Sequence, residues 1–301
     1  MTPPAAARIG LGTVQLGLDY GVTNQNGRVP EGEAREILRL AAASGMDTID
    51  TAFLYGDSEA VLGRCTPPET LRIVTKTPKF AGMGPDEAAA HLREAFAQSL
   101  ARLGRERIHG LLLHDPADLS GPAGTALWAA MAALRAEGRV AKIGVSVYEG
   151  AEIDALLDRF PLDLVQLPWN PLDHRLEQGG QLDRLAAAGV EVHARSLFLQ
   201  GLLLQDPAAI PERFAPVRRA VEALRAACAG EGLTMLEGVM ALALARAGID
   251  RFICGVAAAH ELHAIVLAAE TGQRVKHRLR LPIMDALDPL YLNPARWPEL
   301  G

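Results

Sequence analysis

Four side chains able to take part in proton transfer follow short apolar runs in this sequence: Asp50, Tyr55, Lys76 and His114. Runs rich in Ile, Leu and Val are typical of parallel strands that are buried on both faces. Polar residues at the carboxyl ends of such strands lie at the mouth of an α/β fold, where substrates bind. We therefore predict that an acid, a phenol, an amine and an imidazole meet at one mouth, which is a set suited to proton transfer.

Each of these residues also has a structural interpretation when it is considered alone. A tyrosine near a strand end commonly packs as an aromatic with a hydrated hydroxyl, and a lysine there is commonly a solvated charge. His114 precedes Asp115 and Pro116, so it is compatible with a loop histidine held by that aspartate. The occurrence of all four at successive strand ends favours a functional site.

Composition and charge limit the class of protein. The 301 residues are 49% hydrophobic, which is enough for a large core, and they carry a net charge of −6 without a block of basic residues. This charge argues against nucleic acid as a partner. The apolar runs are too short and too often charged to span a membrane, and the first residues lack the apolar region of a signal peptide. We therefore expect a cytoplasmic protein without membrane association, whose oligomeric state the sequence does not indicate.

The cysteines do not suggest a disulfide framework or a metal site. Cys65, Cys228 and Cys254 are an odd and scattered set without a Cys-x-x-Cys pair. Cys254 lies in a strand-like run and is expected to be a small buried hydrophobic residue rather than a nucleophile. His260 and His263 have a spacing compatible with a metal, but the sequence offers no third ligand, so no metal site is predicted.

Strand-like and helix-like segments alternate along the chain. The predicted strands are Arg8–Gln15, Asp47–Thr51, Leu71–Lys76, Ile108–His114, Ala141–Ser146, Leu162–Leu167, Val190–Arg195 and Arg251–Gly255. The predicted helices are Glu31–Ser44, Ser58–Arg64, Pro85–Arg102, Gly121–Glu137, Glu149–Arg159, Gly179–Ala188, Pro211–Ala229, Thr234–Ala247 and Ala259–Glu270. This alternation, without a break in composition, predicts a closed (β/α)₈ TIM barrel as a single domain over residues 1–301. The last part, about 275–301, is expected to be an irregular tail anchored by Trp297.

The motifs at these strand ends resemble, in order, those of the aldo-keto reductase family. The matching segments are Gly10-Leu-Gly-Thr13, Asp50-Thr-Ala-Phe-Leu-Tyr-Gly56, Thr75-Lys76, Leu111-Leu-Leu-His-Asp-Pro116, Ile143-Gly-Val-Ser146, Gln166 with Asn170-Pro-Leu172, and Glu231-Gly-Leu-Thr with Ala241-Leu-Ala-Leu244. The resemblance extends over about residues 8–270, and the ordered set is more specific than any single motif. It implies a barrel that reduces the carbonyl of an aldehyde, ketone or sugar with NAD(P)H.

Carried over residue by residue, the resemblance implies a role for each polar side chain. Tyr55 is the general acid, Lys76 tunes its pKa, Asp50 is the partner of Lys76, and His114 orients the carbonyl. The chemistry of the residues agrees, because carbonyl reduction leaves negative charge on an oxygen that needs a proton. A free phenol has a pKa of about 10, and a buried ammonium within hydrogen-bond reach should lower it. Asp50 should compensate the charge of Lys76, and His114 is able to donate to the developing oxyanion.

The resemblance also implies the residues that hold the cofactor. Ser146 and Gln166 are expected to hydrogen-bond the nicotinamide carboxamide. Arg195 either stacks on the nicotinamide ring or is a rim charge paired with a carboxylate. The backbone from Ser196 through Leu197 to Gly201 is expected to hold the pyrophosphate, since Gly201 permits close approach.

The segment after the last predicted strand departs from the family pattern. It begins at Gly255, and Ala257 stands where the resemblance leads us to expect an Arg that pairs with the 2′-phosphate of NADP. The next helix and His260 are available to compensate, because helix N-termini attract anions; alternatively, His260 faces solvent. We therefore predict that NADP(H) binds in preference to NAD(H), by a modest margin.

Three other functions compete with the carbonyl reductase. A cofactor-binding regulatory barrel that senses redox state with little turnover is the main alternative, and the missing Arg keeps it open. A hydrolase that uses Asp57 and Glu59 as paired carboxylates is less favoured, because Asp57-Ser-Glu59 is typical of a helix start with a capping serine. A dehydrogenase with a doubly wound sheet is disfavoured, because Gly10-x-Gly12 lacks the third glycine of its fingerprint.

The walls of the predicted pocket are less clear from the sequence. The segment Leu16–Pro30 follows the first strand, so it either lines the substrate pocket or covers it. Trp128 and Trp169 are candidates for the pocket wall, although core packing is the commoner role. The sequence does not identify the small-molecule carbonyl substrate.

Overall fold

The computed structural model describes residues 4–24, 26–67, 69–281 and 286–300. Its parallel strands are hydrogen-bonded in sequence order, and the last strand pairs with the first, so the sheet closes into a barrel. The strands are β1 (Ile9–Gly12), β2 (Thr48–Asp50), β3 (Arg72–Lys76), β4 (Ile108–Leu113), β5 (Val140–Ser146), β6 (Leu164–Pro168), β7 (Glu191–Arg195) and β8 (Arg251–Gly255). The predicted (β/α)₈ barrel is confirmed.

Helices surround the barrel. They are α1 (Val14–Gly17), α2 (Glu31–Ala43), α3 (Ser58–Cys65), α4 (Pro85–Leu103), α5 (Pro116–Ser120), α6 (Gly124–Ala136), α7 (Gly150–Leu157), α8 (Arg175–Gln178), α9 (Gln181–Ala187), α10 (Ala215–Gly230), α11 (Met235–Leu244), α12 (Ala259–Val275) and α13 (Pro289–Leu292). Short 3₁₀ segments are Ala5–Arg8, Leu202–Leu204, Pro207–Ala209, Glu212–Phe214 and Pro294–Leu300. The extra helix predicted before the last strand is present, since α10 and α11 both precede β8.

The helix α4 shows how the sequence specifies this outer layer. Leu92, Phe96, Leu100 and Leu103 recur every three or four residues and are all buried against the barrel. The helix ends at Gly104, whose φ of 62° is the left-handed conformation that favours glycine. The amphipathic pattern and the glycine stop therefore determine one element that packs on the strands.

The strand β1 is shorter than predicted. The predicted strand extends to Gln15, but the chain turns into α1 at Val14. At Gly17 a Cβ atom would lie 1.8 Å from the Tyr55 carbonyl oxygen, so only glycine fits there. This close approach holds α1 against the loop that carries Tyr55.

The interior of the barrel is filled by apolar side chains below the mouth. Val74, Leu112 and Leu164 are fully buried and form a cluster inside the barrel. Parallel pairing aligns the strand ends, as in the pair Ser146 and Gln166. Polar residues at the carboxyl ends therefore meet above a dry floor.

The tail is more regular than predicted. Its described part contains α13 and a 3₁₀ segment, whereas residues 282–285 and 301 lie outside the described residues. Trp297 is buried and packs on Phe214, with ring centroids 4.8 Å apart. Its Nε1 donates to the Tyr291 carbonyl at 3.1 Å. Trp297 thus anchors the tail as predicted.

No single helix within the described residues is both long and apolar enough to cross a membrane. The helical pair Glu212–Gly230 and Met235–Leu244, bent by 89°, meets that test of length and composition jointly. In this structure α11 is buried along most of its length in the protein interior.

Candidate active site

A cavity of about 820 Å³ opens at the carboxyl ends of the strands. Most of the residues predicted for the site line it: Asp50, Tyr55, His114, Ser146, Gln166, Arg195, Ser196, Leu197, Gly201, Gly255 and Ala257. Lys76 lies behind Asp50 and is 1% exposed. His260 is exposed and lies outside the lining. The barrel therefore brings the four proton-transfer residues together, as the strand-end argument predicts.

Lys76 and Asp50 form a buried ion pair. Lys76 Nζ donates to both oxygens of the Asp50 carboxylate, at 2.6 Å to Oδ1, and to the Thr51 carbonyl at 2.9 Å. Asp50 Oδ1 also accepts from Gln166 Nε2 at 2.7 Å. Burial lowers the pKa of Lys76, and the charge and hydrogen bonds of Asp50 oppose that shift. All three ammonium protons are therefore engaged by Asp50 and Thr51.

Tyr55 stands beside this pair with its hydroxyl free of protein partners. The ammonium of Lys76 lies 5.1 Å from the centroid of the Tyr55 ring, and the hydroxyl forms no hydrogen bond with any described residue. Burial, together with the negative charge of Asp50, raises the pKa of Tyr55. The sequence predicted a lowered pKa. The direction differs because burial of the phenol is the main cause of the shift, and Lys76 donates its protons to Asp50 and Thr51.

His114 lies next to Tyr55 on the same wall. The two rings make an edge contact with centroids 5.8 Å apart. Burial, followed by the positive charge of Lys76, lowers the pKa of His114 to about 4, so the imidazole is neutral at neutral pH. Its Nδ1 is buried and has no partner among the described residues. Asp115 accepts from the Ala117 N–H instead, so the alternative of a loop histidine held by that aspartate is not supported.

The residues expected at the nicotinamide are held by the protein in ways that the sequence did not predict. Gln166 donates its amide to Asp50, which fixes the orientation of that side chain at the cavity wall. Arg195 pairs with no carboxylate among the described residues. Its Nη2 donates to the Val147 carbonyl at 2.8 Å, and its guanidinium lies 4.0 Å above the Tyr148 ring. Tyr148 lines the cavity and was missed, although it follows the strand-end Ser146 closely in sequence.

The loop after β7 has an unusual backbone. Ser196, Leu199 and Gln200 have φ values of 65°, 46° and 52°, and Gly201 has 92°. These left-handed residues turn the chain along the cavity wall. The Leu199 and Gly201 N–H groups donate within the loop, to the Ser196 and Phe198 carbonyls, whereas those of Leu197 and Gln200 have no acceptor among the described residues. A Cβ at Gly201 would lie 2.2 Å from Thr23 Oγ1, so a glycine is required at this contact.

A set of hydrogen bonds, here termed the Gln200 bridge, joins this loop to the segment after β1. Gln200 Nε2 donates to the Tyr20 hydroxyl at 3.1 Å, and its Oε1 accepts from the Val22 N–H at 3.2 Å. Thr23 Oγ1 donates to the Gln200 carbonyl at 3.0 Å. Both joined segments line the cavity. The segment Leu16–Pro30 therefore lines the pocket and also connects two of its walls.

The far end of the cavity is formed by the loop after β8 and by α12. Helix geometry turns Glu261, Ala264 and Ile265 towards the cavity, since residues three and four apart share a face. His260 precedes this face by one residue and is exposed. The sequence-based prediction therefore named His260 and missed Glu261, the next residue in the chain. The only signal available was the spacing of Glu261 from Ala264 and Ile265.

Several other candidate residues have structural rather than catalytic surroundings. Cys254 lines the cavity, but burial raises its pKa to about 12, so the thiol remains protonated. Trp169 packs on Phe252 and Trp128 on Phe160, with ring centroids 5.4 Å and 5.3 Å apart, and neither tryptophan lines the cavity. Cys254 is thus a buried hydrophobic residue as predicted, and the tryptophans belong to the core.

The paired carboxylates considered for a hydrolase are not a pair in this structure. Glu59 is 1% exposed and accepts from Thr75 Oγ1 at 2.7 Å. Asp57 is exposed and pairs with Arg28 at 3.0 Å. Neither carboxylate lines the cavity. Their arrangement therefore does not support a mechanism with two carboxylates.

Comparison with known sequences places these features in a family. The model of the aldo/keto reductase family matches residues 8–277. An aldo-keto reductase of Mycobacterium tuberculosis is 34% identical over 131 residues, which cover 42% of this chain and 44% of that protein. The chain thus aligns with less than half of that relative. The 6-dehydroglucose reductase of Novosphingobium aromaticivorans is 30% identical over 207 residues, which cover 62% of this chain and 67% of that protein.

Comparison with solved structures supports the same fold. An aldo-keto reductase from Bacillus halodurans, solved in its holo form, superposes with a TM-score of 0.67. The alignment covers 92% of this chain and 94% of that one at 21% identity, so it bears on the fold alone. The family model, in contrast, matches nearly the whole chain through its sequence. This chain belongs to the aldo/keto reductase family.

Proposed function

We propose that this protein is an NAD(P)H-dependent reductase that converts an aldehyde or ketone carbonyl to the alcohol. One observation carries the proposal: Tyr55 and His114 lie side by side in one cavity, above the buried pair of Lys76 and Asp50. A proton donor and a neutral hydrogen-bond donor on one wall are what a carbonyl oxygen requires as it gains negative charge.

The cavity wall fits a long polar ligand such as a nicotinamide dinucleotide. Two glycines, Gly12 and Gly255, line this wall. A Cβ atom added at Gly12 would lie 3.3 Å from the Gly255 nitrogen, and one added at Gly255 would lie 2.7 Å from Gln15 Nε2. Gln15 Oε1 and His114 Nδ1 are buried at this wall without partners among the described residues. Close backbone approach and polar atoms without protein partners at one wall are features of a site for a polar ligand.

The residues that would hold the dinucleotide follow from this arrangement. Ser146 and Gln166 would bind the carboxamide, and the backbone of residues 196–201 would bind the pyrophosphate. Arg195, stacked on Tyr148, would flank the nicotinamide end. When bound, the nicotinamide supplies the hydride to the carbonyl carbon.

Proton transfer is assigned to Tyr55. Its raised pKa keeps the hydroxyl protonated at neutral pH, so the proton is present when the substrate oxygen needs it. The positive charge of Lys76 at the ring favours the phenolate that results, and Asp50 holds that charge in the barrel. The neutral imidazole of His114 orients the oxygen through one N–H.

We assign this activity to residues 1–301 as one catalytic domain, with a sugar carbonyl as one substrate class. The polar side chains Asn24, Asn26 and Gln205 line the cavity and suit a hydroxylated substrate. The relative from Novosphingobium is named for reduction of 6-dehydroglucose. For the cofactor, the proposal is a nicotinamide dinucleotide, and the sequence-based preference for NADP(H) over NAD(H) depends on what the loop after β8 offers to a 2′-phosphate.

The test is a panel of aldehydes, ketones and oxidised sugars, with loss of NADPH or NADH absorbance as the signal. Turnover by the wild-type protein and its loss in Tyr55→Phe would support the proposal. Binding of a dinucleotide without turnover of any carbonyl would favour the alternative of a redox-sensing barrel. Absence of dinucleotide binding would contradict both.

A further inference from the structure

Two carboxylates of the protein accept from backbone N–H groups near the far end of the cavity. Glu261, which lines the cavity, accepts from the Ala257 N–H at 2.7 Å with its Oε2. Glu33, from α2, accepts from the Ala259 N–H at 2.6 Å with its Oε1, outside the cavity lining. One N–H of the loop before α12 and the first N–H of that helix are therefore engaged by carboxylates rather than available to a phosphate.

The same end of the cavity has no cation for a phosphate. Among the described residues that line the cavity, Arg195 is the only lysine or arginine. It lies at the catalytic end, where Val147 and Tyr148 hold it. His260 is exposed and lies outside the cavity lining, and Ala257 has no charged group. A dianionic 2′-phosphate would therefore meet the Glu261 carboxylate without a compensating charge.

Glu261 does offer a contact to a ribose that lacks this phosphate. It lines the cavity and is half-buried, so desolvation strengthens its interactions. Its Oε2 is engaged by Ala257, whereas its Oε1 has no partner among the described residues. A free carboxylate oxygen accepts a hydrogen bond from a ribose hydroxyl and repels a phosphate in the same place.

We infer that the cavity selects NAD(H), the dinucleotide with a free 2′-hydroxyl, and that Glu261 determines this selection. The inference rests on the proposed function, because the catalytic end must hold the nicotinamide for the adenosine to reach Glu261. It is opposite to the sequence-based prediction of NADP(H). That prediction relied on His260 and on the helix N-terminus, but His260 lies outside the cavity lining, and the Ala257 and Ala259 N–H groups at this end donate to Glu261 and Glu33.

Direct binding tests the inference without reference to turnover. The purified full chain is titrated with NADH, NADPH, ADP-ribose and 2′-phospho-ADP-ribose by calorimetry. The wild type should bind each unphosphorylated ligand at least about tenfold more tightly than its phosphorylated counterpart. Glu261→Gln keeps an acceptor for the Ala257 N–H but removes the charge, so it should tighten the phosphorylated ligands about tenfold.

The matched control is Glu270→Gln, which removes the same charge from an exposed position on the same helix. It should leave all four affinities unchanged. Tighter binding of NADPH than NADH by the wild type, or the same response from both variants, would overturn the selection by Glu261 and leave the reductase proposal standing. Failure of the wild type to bind any of the four ligands would overturn both.

Discussion

The two ends of the cavity differ in how their polar groups are satisfied. At the catalytic end, one ion pair uses the protons of Lys76, and the hydroxyl of Tyr55 remains free for a ligand. At the adenosine end, the backbone donors of Ala257 and Ala259 are occupied by Glu261 and Glu33. Under the proposed function, the first end leaves a hydroxyl for the oxygen of a carbonyl, and the second end disfavours the phosphate of NADP. The proposed chemical step and the proposed choice of cofactor therefore rest on different ends of one cavity.

The largest expected effect concerns the catalytic end and is a loss of stability. Asp50→Asn leaves the ammonium of Lys76 buried without a counter-charge, which typically costs about 3–5 kcal/mol. The free energy of unfolding in urea should fall by this order. The double variant Asp50→Leu with Lys76→Met removes both charges and should recover most of the loss. An unchanged midpoint in Asp50→Asn would show that the pair is not buried as described.

The second effect is on the rate of carbonyl reduction and concerns Tyr55, at the same end of the cavity. Tyr55→Phe removes the proton donor and should reduce carbonyl reduction by about 10²-fold or more. The Kd of the dinucleotide should stay near that of the wild type, because the hydroxyl has no partner that positions the cavity wall. Turnover is measured at saturating cofactor. A near-normal rate in the purified variant would remove Tyr55 from the mechanism.

The third effect concerns the far end of the cavity and tests whether that end lacks a cation for a 2′-phosphate. Ala257→Arg supplies the cation that this end lacks, and one charge-assisted contact is worth roughly 1.5–3 kcal/mol, or about ten- to hundredfold in affinity. NADPH should bind more tightly and NADH almost unchanged. Fluorescence titration measures both constants, and Ala257→Gln serves as a neutral control. Equal tightening of the two cofactors would mean that position 257 does not face the 2′-phosphate.

The last effect is a dependence of stability on pH. The folded protein keeps the pKa of His114 at about 4, below its ordinary value of about 6.5. Between these values the unfolded chain binds a proton that the folded chain does not, so stability should fall as the pH is lowered through this window. The loss in urea midpoint between pH 7 and pH 4.5 should be smaller for His114→Gln. Equal losses in the two proteins would assign the effect to other groups.

The sequence predicted correctly that Asp50, Tyr55, Lys76 and His114 lie together, because barrel geometry determines where strand ends meet. Asp50 and Lys76 end their strands, Tyr55 and His114 follow closely, and parallel pairing leaves them little freedom. The error in the direction of the Tyr55 pKa arose at the next level of detail. The sequence predicted that the Lys76 ammonium lies near the phenol. It did not predict which groups accept the ammonium protons, because these depend on side-chain rotamers and on the nearby Thr51 carbonyl.

The adenosine end was less predictable because its chemistry depends on loops and on helix phase. His260 and Glu261 are neighbours on α12, yet His260 is exposed and Glu261 lines the cavity. The Ala259 N–H at the start of α12 donates to Glu33, and Glu33 is too distant in sequence for a local pattern to predict this contact. Tyr148 and Gln200 were missed for the same reason, since each acts through a partner on another loop.

In the proposed reductase, the Gln200 bridge would link the affinity for the cofactor to the turnover rate. A dinucleotide bound along the loop after β7 would be enclosed on a second side by Tyr20 and Thr23, which line the cavity and belong to the bridge. The oxidised cofactor of such an enzyme leaves in every catalytic cycle, and loop opening of this kind occurs on microsecond to millisecond timescales. Each hydrogen bond in the bridge would then lengthen the residence time of the cofactor. Where cofactor release is the slow step, these contacts would limit kcat, and a faster chemical step alone would not raise it.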